Sequence, residues 1–563
     1  MRRFTILAFA IALALTVVPS AQQADPVKAA AAALGATTIK TMQLTGSGAN
    51  FSVGQNFTPN DPWPRVTVKS WNALINYDTG GMRQEFLREM GTVMPRGGGA
   101  PFTGEQRQIQ FVGGNYAWNE PVPAAAPAAP GAPAAGAPPA GAPPARGARG
   151  DGQRAGGAGA DGARGDGQRA GGAGAGGARG DGQRAGGAAA GGRGPAGPPP
   201  PVPQPGNAVE RMLALWATPQ GFVKAAMANN ATTKSAQGGT EVSFTVGGKY
   251  KMTGIINAQN QVERVQTWID QPIVGDMLVE TVYSGYKDFG GVQYPSHVVQ
   301  SQDGYPSLDL TIATVLVNVP IEITVPDNVR NAPPPAPVTV TSAKLADGVF
   351  YLTGGSHHSL AIEMKDHIVL VDVPQTEERA LAVIAKTKEV IPNKPIRYLV
   401  TSHHHWDHLG GIRAAIDEGA TIVTHQTNKA FLERVAKTPH TINPDRLARS
   451  NKAVKIQTVG AKGTLTDGTR TVELHLLTNY EHTGDMLVVY LPKEKILGEP
   501  DAFTPPATPT TPLAVTAVPY AAALYDNIKR LKLNVQTIAP FHGARTTDVA
   551  ELARAAGKSS TAN

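Results

Sequence analysis

A long stretch of Ala, Gly and Pro over roughly residues 121–205 most constrains how this chain can fold. Within it Arg149-Gly-Asp-Gly-Gln-Arg-Ala-Gly-Gly recurs from Arg164 and from Arg179. Such a sequence has too few apolar side chains to offset the entropy lost on folding. We therefore predict a disordered insertion over 121–205, and we interpret its Arg-Gly-Asp triplets as repeat expansion rather than as an adhesion motif.

The insertion also explains most of the positive charge. It holds eight Arg and four Asp, so it supplies +4 of the formal net charge of +7. Arg2 and Arg3 supply another +2, so the remaining sequence is nearly neutral, and it has no basic stripe interleaved with aromatic residues. The composition therefore predicts no nucleic-acid partner.

The chain has 563 residues, which exceeds what one hydrophobic core usually organises. On both sides of the insertion, alternating apolar and polar residues predict antiparallel strands, with one or two helices over 208–231 that break near Pro219. Beyond a Pro-rich linker, strands alternate with helices. The first predicted strands there are 348–352, 360–364 and 367–371, and the first predicted helices run over 377–389 and from Gly411. The predicted fold class is α+β and multidomain. The predicted units are a β-rich accessory domain in two parts (25–120 and 206–328), the linker (329–337), a second domain (338–551) and a disordered tail (552–563).

The first residues resemble an export signal. Met1-Arg2-Arg3 precedes an apolar run from Phe4 to Val18 and the small residues Pro19-Ser20-Ala21. Because this run is too short to span a membrane comfortably, we expect a cleaved signal peptide over 1–21, no stable membrane anchor, and a periplasmic or secreted protein. The sequence contains no Cys, so any metal ligands must be His, Asp or Glu.

Histidines are concentrated in the second predicted domain. Twelve of the thirteen follow the linker, and only His297 precedes it. Histidine is a common neutral metal ligand, so this concentration indicates a metal site. After the strand ending at Thr401, the alternation of an extended segment places His403, His405 and Asp407 on one face, and the following turn brings in His408.

The segment His403-His404-His405-Trp406-Asp407-His408 resembles the His-x-His-x-Asp-His signature of the metallo-β-lactamase superfamily. Four further segments occur in the order that the family shows. The resemblance extends over about 340–550 and implies an αββα sandwich. The four segments are Val369–Asp372, Tyr480–His482, Ile496–Asp501 and Ala539–Gly543.

The resemblance implies two Zn²⁺ ions, with iron or manganese as possible substitutes. It implies His403, His405 and His482 on the first ion, and Asp407, His408 and His542 on the second, with Asp407 as a catalytic residue. Asp501 is implied as the bridging ligand. Glu499 competes with it, and we prefer Asp501 because it best fits the end of the strand.

Other polar residues near these segments have predicted roles as well. We expect His404 and Trp406 to pack or to line the mouth of the pocket, and Asp485 to form hydrogen bonds around the ligands. Three histidines are candidates for substrate contact: His357, His358 and His425. Three others are expected at the surface or satisfied in the core: His367, His440 and His475.

The resemblance implies an exported hydrolase in which a metal-activated hydroxide attacks an ester, lactone, lactam or thioester bond of a small molecule. The fold serves many substrates, so it does not by itself imply β-lactamase activity. The accessory domain weakly resembles periplasmic lipoprotein carriers, and an open alternative is a domain that only positions the hydrolase. One alternative is therefore a periplasmic binding or carrier protein for an apolar ligand, with a structural or vestigial metal domain. A second alternative is an oxidoreductase with two irons at the same ligands.

Overall fold

The computed structural model describes residues 25–91, 95–98, 102–122 and 199–558. The predicted signal peptide and most of the predicted insertion lie outside the described residues. Structure is described beyond two predicted boundaries, because 199–205 include a short strand and 552–555 are the end of a helix. In the parts of the chain described, no helix is both long and apolar enough to cross a bilayer.

The N-terminal part forms one antiparallel sheet of thirteen strands. The sheet has the order β6-β5-β4-β3-β2-β1-β13-β12-β11-β10-β9-β8-β7, so the first strand pairs with the last and strands from both sides of 123–198 share one sheet. The strands are β1 (Thr41–Phe51), β2 (Arg65–Asn76), β3 (Gly81–Glu89), β4 (Glu105–Gly113), β5 (Tyr116–Glu120), β6 (Val202–Pro203), β7 (Thr232–Ala236), β8 (Gly239–Val246), β9 (Tyr250–Ile256), β10 (Val262–Gln271), β11 (Gly275–Asp288), β12 (Gln293–Gln302) and β13 (Tyr305–Val317).

Helices accompany this sheet, and their apolar side chains Leu213 and Phe222 share a core with sheet residues such as Met252. The predicted helix break is confirmed, because Pro219 occupies the first turn of a new helix and the Thr218 hydroxyl accepts the N–H of Gly221. The helices are α1 (Pro26–Ala33), α2 (Ala208–Ala217), α3 (Pro219–Ala228) and α4 (Asp327–Arg330).

The C-terminal part contains two further sheets. The first has the order β14-β15-β16-β17-β18-β19-β20 and the second the order β21-β22-β23-β24-β25. The strands are β14 (Thr341–Ala346), β15 (Val349–Thr353), β16 (Ser359–Glu363), β17 (Ile368–Val371), β18 (Ile396–Val400), β19 (Thr421–His425), β20 (Lys455–Val459), β21 (Lys462–Thr466), β22 (Thr471–Leu476), β23 (Leu487–Leu491), β24 (Ile496–Glu499) and β25 (Thr537–Pro540). The helices are α5 (Glu377–Val390), α6 (Trp406–Leu409), α7 (Ile412–Glu418), α8 (Lys429–Val435), α9 (Arg446–Ser450), α10 (Val518–Arg530) and α11 (Val549–Ala555).

The two C-terminal sheets pack face to face. Side chains from both, such as Leu360 and Val489, form one buried core between them. Helix α5 packs on the outer face of the seven-stranded sheet through Val383, and α10 and α11 pack on the outer face of the other through Leu524 and Leu552. These layers form an αββα sandwich, and the α+β multidomain fold class is confirmed.

The sandwich positions the site through its parallel strands. Strands β17, β18 and β19 run parallel to one another, and β24 runs parallel to β25. Parallel strands end at the same edge of a sheet, so the segments that follow them meet there. The predicted ligands follow β18, β24 and β25, or lie in the loop before β23.

Candidate metal centre

Three imidazoles form the first cluster. One nitrogen each from His403, His405 and His482 lies within 4.8 Å of the others, and all three residues are buried. His403 Nε2, His405 Nδ1 and His482 Nε2 make no hydrogen bond. A buried polar atom without a partner costs about 1–3 kcal/mol of folding free energy. Three such nitrogens close together are therefore unfavourable unless they bind a ligand.

The second cluster contains Asp407, His408 and His542, as the family resemblance implied, and also His357. His408 Nε2 lies 3.0 Å from His542 Nε2, and His357 Nε2 lies 3.2 Å from Asp407 Oδ2. His357 is one of the three candidates for substrate contact. The structure instead places its ring nitrogen among the candidate ligand atoms.

Asp501 lies between the two clusters. Its Oδ2 is 3.2 Å from His403 Nε2 and 3.2 Å from His408 Nε2, and its Oδ1 is 2.9 Å from His542 Nε2. Glu499, the competing bridge, accepts the backbone N–H groups of Ala502 and Phe503 with Oε2 instead. Burial raises the pKa of Glu499 to about 8. The geometry therefore favours Asp501 as the bridge.

Outer hydrogen bonds orient the imidazoles. His408 Nδ1 lies 2.9 Å from Asp372 Oδ2, and the same carboxylate accepts the N–H and hydroxyl of Ser402 at 2.7 Å each. Ser402 Oγ also lies 3.0 Å from His403 Nδ1. A hydrogen bond to one ring nitrogen fixes which nitrogen can bind a metal, so both rings direct Nε2 toward the centre.

Metal binding requires neutral imidazoles and ionised carboxylates, and the pKa shifts of most of the candidate ligands run in that direction. His408 is the exception: its burial is outweighed by Asp501 and Asp372, which raise its pKa, so it would lose a proton when an ion binds. Burial holds the pKa of His403 and of His405 well below the ordinary value. Burial would raise the pKa of Asp407, but the His357 hydrogen bond and the charge of His408 outweigh it and lower that pKa. Burial opposes ionisation of Asp501 as well, yet neighbouring imidazoles including His408 hold its pKa low. These donors fit a pair of divalent ions.

The N-terminal part supplies residues that the sequence analysis missed. Gln55 Nε2 donates to Asp407 Oδ1 at 2.9 Å, and His405 Nε2 donates to the Asn56 carbonyl at 2.9 Å. Both residues lie in the loop between β1 and β2, at positions 52–64. No local pattern marks them, because they precede their partners by about 350 positions and a contact of this range depends on the tertiary fold.

The remaining candidates lie around the centre. His404 Nδ1 pairs with Asp485 Oδ1 at 2.9 Å, as expected of a residue that packs beside the ligands. His358 Nε2 donates to the Gly543 carbonyl, and His425 Nδ1 pairs with the Thr427 hydroxyl, so neither joins a cluster. Three histidines are buried away from the clusters, each near an acidic side chain: His367, His440 and His475.

Comparisons with known proteins find a match for the segment that contains this site. Residues 352–542, which contain every predicted ligand, match the family model of the metallo-beta-lactamase superfamily. A metallo-beta-lactamase from Pontibacter korlensis is 20% identical, with a TM-score of 0.31, over 39% of this chain and 98% of that chain. The DIM-1 metallo-beta-lactamase is 20% identical, with a TM-score of 0.30, over 39% of this chain and 96% of that chain. A search of curated proteins finds no match.

The family model matches the C-terminal sandwich and not the N-terminal sheet. The resemblance of that sheet to lipoprotein carriers therefore stays a prediction, as does its apolar ligand. Over residues 352–542, this chain is similar to the metallo-beta-lactamase superfamily.

Proposed function

We propose that this protein is an exported, dinuclear zinc hydrolase that cleaves an ester, lactone, lactam or thioester bond in a small molecule. One observation carries the proposal: three buried imidazole nitrogens without hydrogen bonds lie within 4.8 Å of one another, and two of them, His403 Nε2 and His482 Nε2, lie 3.2 and 3.3 Å from Asp501 Oδ2. A divalent cation would satisfy all four atoms at once, since imidazole lone pairs and a carboxylate are metal ligands.

The two clusters would divide the ions between them. His403, His405 and His482 would hold the first ion, and Asp407, His408 and His542 the second, with Asp501 shared. Such ions polarise a carbonyl oxygen and lower the pKa of water toward about 7. Zinc is our choice because the donors are nitrogen and oxygen atoms in small sets.

The residues of the chain would orient the reactants. Asp407 accepts the Gln55 amide through Oδ1 and lies 3.2 Å from His357 Nε2 through Oδ2, and its pKa is low, so Oδ2 is the oxygen that would bind the second ion. The side chains of His403 and His482 are 0% and 4% exposed, whereas those of Asp407 and His542 are 25% and 22% exposed. We infer that substrate enters on the side of the second cluster, while the first cluster excludes solvent.

Export is part of the proposal. The charged, apolar and small-residue segments of Met1 to Ala21 support it, as does a Cys-free sequence that suits an oxidising compartment. Fractionation of cells expressing the full chain, followed by N-terminal sequencing, tests it. A cytoplasmic protein that keeps Met1 would contradict this part alone.

The catalytic part is tested by metal analysis and by hydrolysis assays. We expect about two zinc ions per chain and turnover of at least one member of a panel containing an ester, a lactone, a β-lactam and a thioester. Asp407→Ala should abolish that turnover, whereas Asp526→Ala, at an exposed position on α10, should retain it. Less than one metal per chain, or turnover unaffected by Asp407→Ala, would overturn the proposal. Apolar ligand purifying with such a metal-free protein would favour the carrier alternative.

A further inference from the structure

The loop between β1 and β2 (residues 52–64) reaches from the thirteen-stranded sheet into the candidate metal centre. Gln55 and Asn56 are polar residues at its inner end, and they are only 8% and 5% exposed. Burying an amide away from water is costly unless its polar atoms are paired. Both residues have partners in the ligand segment His403–His408.

Gln55 acts on the second cluster. Its Nε2 donates to Asp407 Oδ1 at 2.9 Å, while Asp407 Oδ2 faces His357 Nε2 at 3.2 Å. An amide donor on one carboxylate oxygen fixes the rotation of the group, so the other oxygen is presented to the ion in one orientation.

Asn56 acts on the first cluster through its main chain. Its carbonyl accepts the Nε2–H of His405 at 2.9 Å, which leaves the unpaired Nδ1 as the ligand atom of that ring. Its side-chain Oδ1 lies 3.2 Å from His404 Nε2, on the neighbouring residue. The carbonyl thus sets the tautomer of His405, as the Asp372 carboxylate does for His408.

The same loop also ties the two ligand segments together. The Gly54 carbonyl accepts the N–H of Trp406, and the Phe57 carbonyl accepts the N–H of Gly484 at 2.9 Å. Trp63 packs edge-on against Trp406 with ring centroids 5.8 Å apart. Residues 54–56 therefore contact the segment His403–His408, whereas Phe57 contacts the segment that follows His482. The loop thus links the two ligand segments.

We infer that the β1–β2 loop is a positioning element of the metal centre, so that the N-terminal sheet completes the metal site of the C-terminal sandwich. Gln55 sets the orientation of Asp407, and the Asn56 carbonyl sets the tautomer of His405. This inference rests on the proposed metal centre. It assigns the N-terminal part a role in metal affinity, although the matched family segment begins only at residue 352.

The test measures metal affinity rather than activity. The full chain is stripped of metal and titrated with Zn²⁺ against a chelator of known affinity, and with Co²⁺ while its visible absorption is recorded. Gln55→Met keeps the size of the side chain and removes the donor. It should weaken binding of the ion at the second cluster by about 10- to 100-fold and leave binding at the first cluster unchanged. Its matched control is Gln302→Met, because Gln302, at the end of β12 in the sheet that carries the loop, is buried to a similar extent but donates to Glu210.

A second variant moves the whole loop. Gly54 has a φ of +74°, and an added Cβ would lie 2.4 Å from the Trp406 ring. Gly54→Ala should therefore displace Gln55 and Asn56 together and weaken both binding events by about 10-fold or more. Circular dichroism and urea unfolding of the metal-free variants show whether each has folded.

The outcomes separate this inference from the proposed function. Two metal ions bound with wild-type affinity and wild-type Co²⁺ spectra in both Gln55→Met and Gly54→Ala would overturn the positioning role alone. A wild-type protein that binds no metal would overturn the proposed function, and the inference with it. Weakened binding in the two variants, with Gln302→Met unchanged, supports the inference.

Discussion

Asp372 is the residue on which the second cluster most depends without belonging to it. It is fully buried and accepts hydrogen bonds from Ser402 N, Ser402 Oγ and the imidazole of His408. Asp372→Ala leaves these donors unpaired, so we expect a loss of about 3–5 kcal/mol in the free energy of unfolding. Urea unfolding of the metal-free protein measures it.

The matched control is Asp366→Ala, because Asp366 lies just before strand β17 and Asp372 lies just after it. Asp366 is 60% exposed and pairs with His367 and Arg397. An exposed pair contributes about 0–1 kcal/mol, so this variant should unfold almost as the wild type does. Equal destabilisation of the two variants would mean that the buried carboxylate has no special role.

A second prediction distinguishes Glu499, the last residue of β24, from Asp501, which follows that strand. Asp501→Asn should lower metal content to one ion per chain or less, because Asp501 alone lies between both clusters. Glu499→Gln should retain both ions, since Gln keeps an oxygen that can accept the N–H groups of Ala502 and Phe503. Metal content by mass spectrometry decides, and the reverse pattern would make Glu499 the bridge.

At the scale of elements, the strands and helices that bury apolar side chains in the core were predicted best. Strand β17 is buried at all four positions and reads as a continuous apolar run. Helix α5 begins at the predicted Glu377, after the capping hydroxyl of Thr376. Strand β14 was missed, because the exposed positions at its start carry no burial pattern to read. Helix α6 was missed because its four residues are too few to show helical periodicity.

Helix α9 offers a prediction about pH. Asp445 caps it by accepting the N–H of Ala448, and it also pairs with the buried Arg413 of α7. Burial would raise the pKa of Asp445, but the hydrogen bonds from Arg413 and Ala448 outweigh it and hold that pKa below the ordinary value of 3.8. The folded state therefore binds fewer protons than the unfolded state as pH falls.

Asp445→Asn should accordingly cost about 3 kcal/mol of unfolding free energy at neutral pH, because Arg413 loses its buried partner. The carboxylate contributes fully above pH about 4 and loses its effect as pH falls through the lower folded pKa. The difference from wild type should thus be constant down to about pH 5 and shrink below about pH 4. Glu433→Gln, in the exposed pair with Lys429, is the control. A difference that grows on acidification would contradict this assignment.

At the scale of the whole molecule, the ligands and their support were not equally predictable. All seven predicted ligands lie in the two clusters or beside them. They could be predicted because one spacing motif, followed by later segments in a fixed order, resembles a known family. Gln55 and Asn56 were not predictable. Their role depends on how a loop of one sheet meets a distant sandwich, and no periodicity in the sequence encodes that meeting.

The strands around the predicted insertion yield the last prediction. Asn119 of β5 pairs with Val202 of β6, so the chain leaves and re-enters the sheet at adjacent positions. Each side is fastened independently, since Arg211 donates to the Trp118 carbonyl at 2.8 Å and Asn328 donates to the Pro201 carbonyl at 2.7 Å. The fold therefore needs only a short connection between these strands.

Replacing residues 123–198 with about eight Gly and Ser residues should preserve folding and metal content. A shorter loop loses less entropy on closure, so the free energy of unfolding should be unchanged or higher by up to about 2 kcal/mol. A second replacement, with a scrambled sequence of the same length and composition, isolates any role of the repeated Arg-Gly-Asp order. If the shortened protein lost its metal or its cooperative unfolding while the scrambled one kept both, the length of this segment would be a requirement of the fold rather than a tolerated insertion.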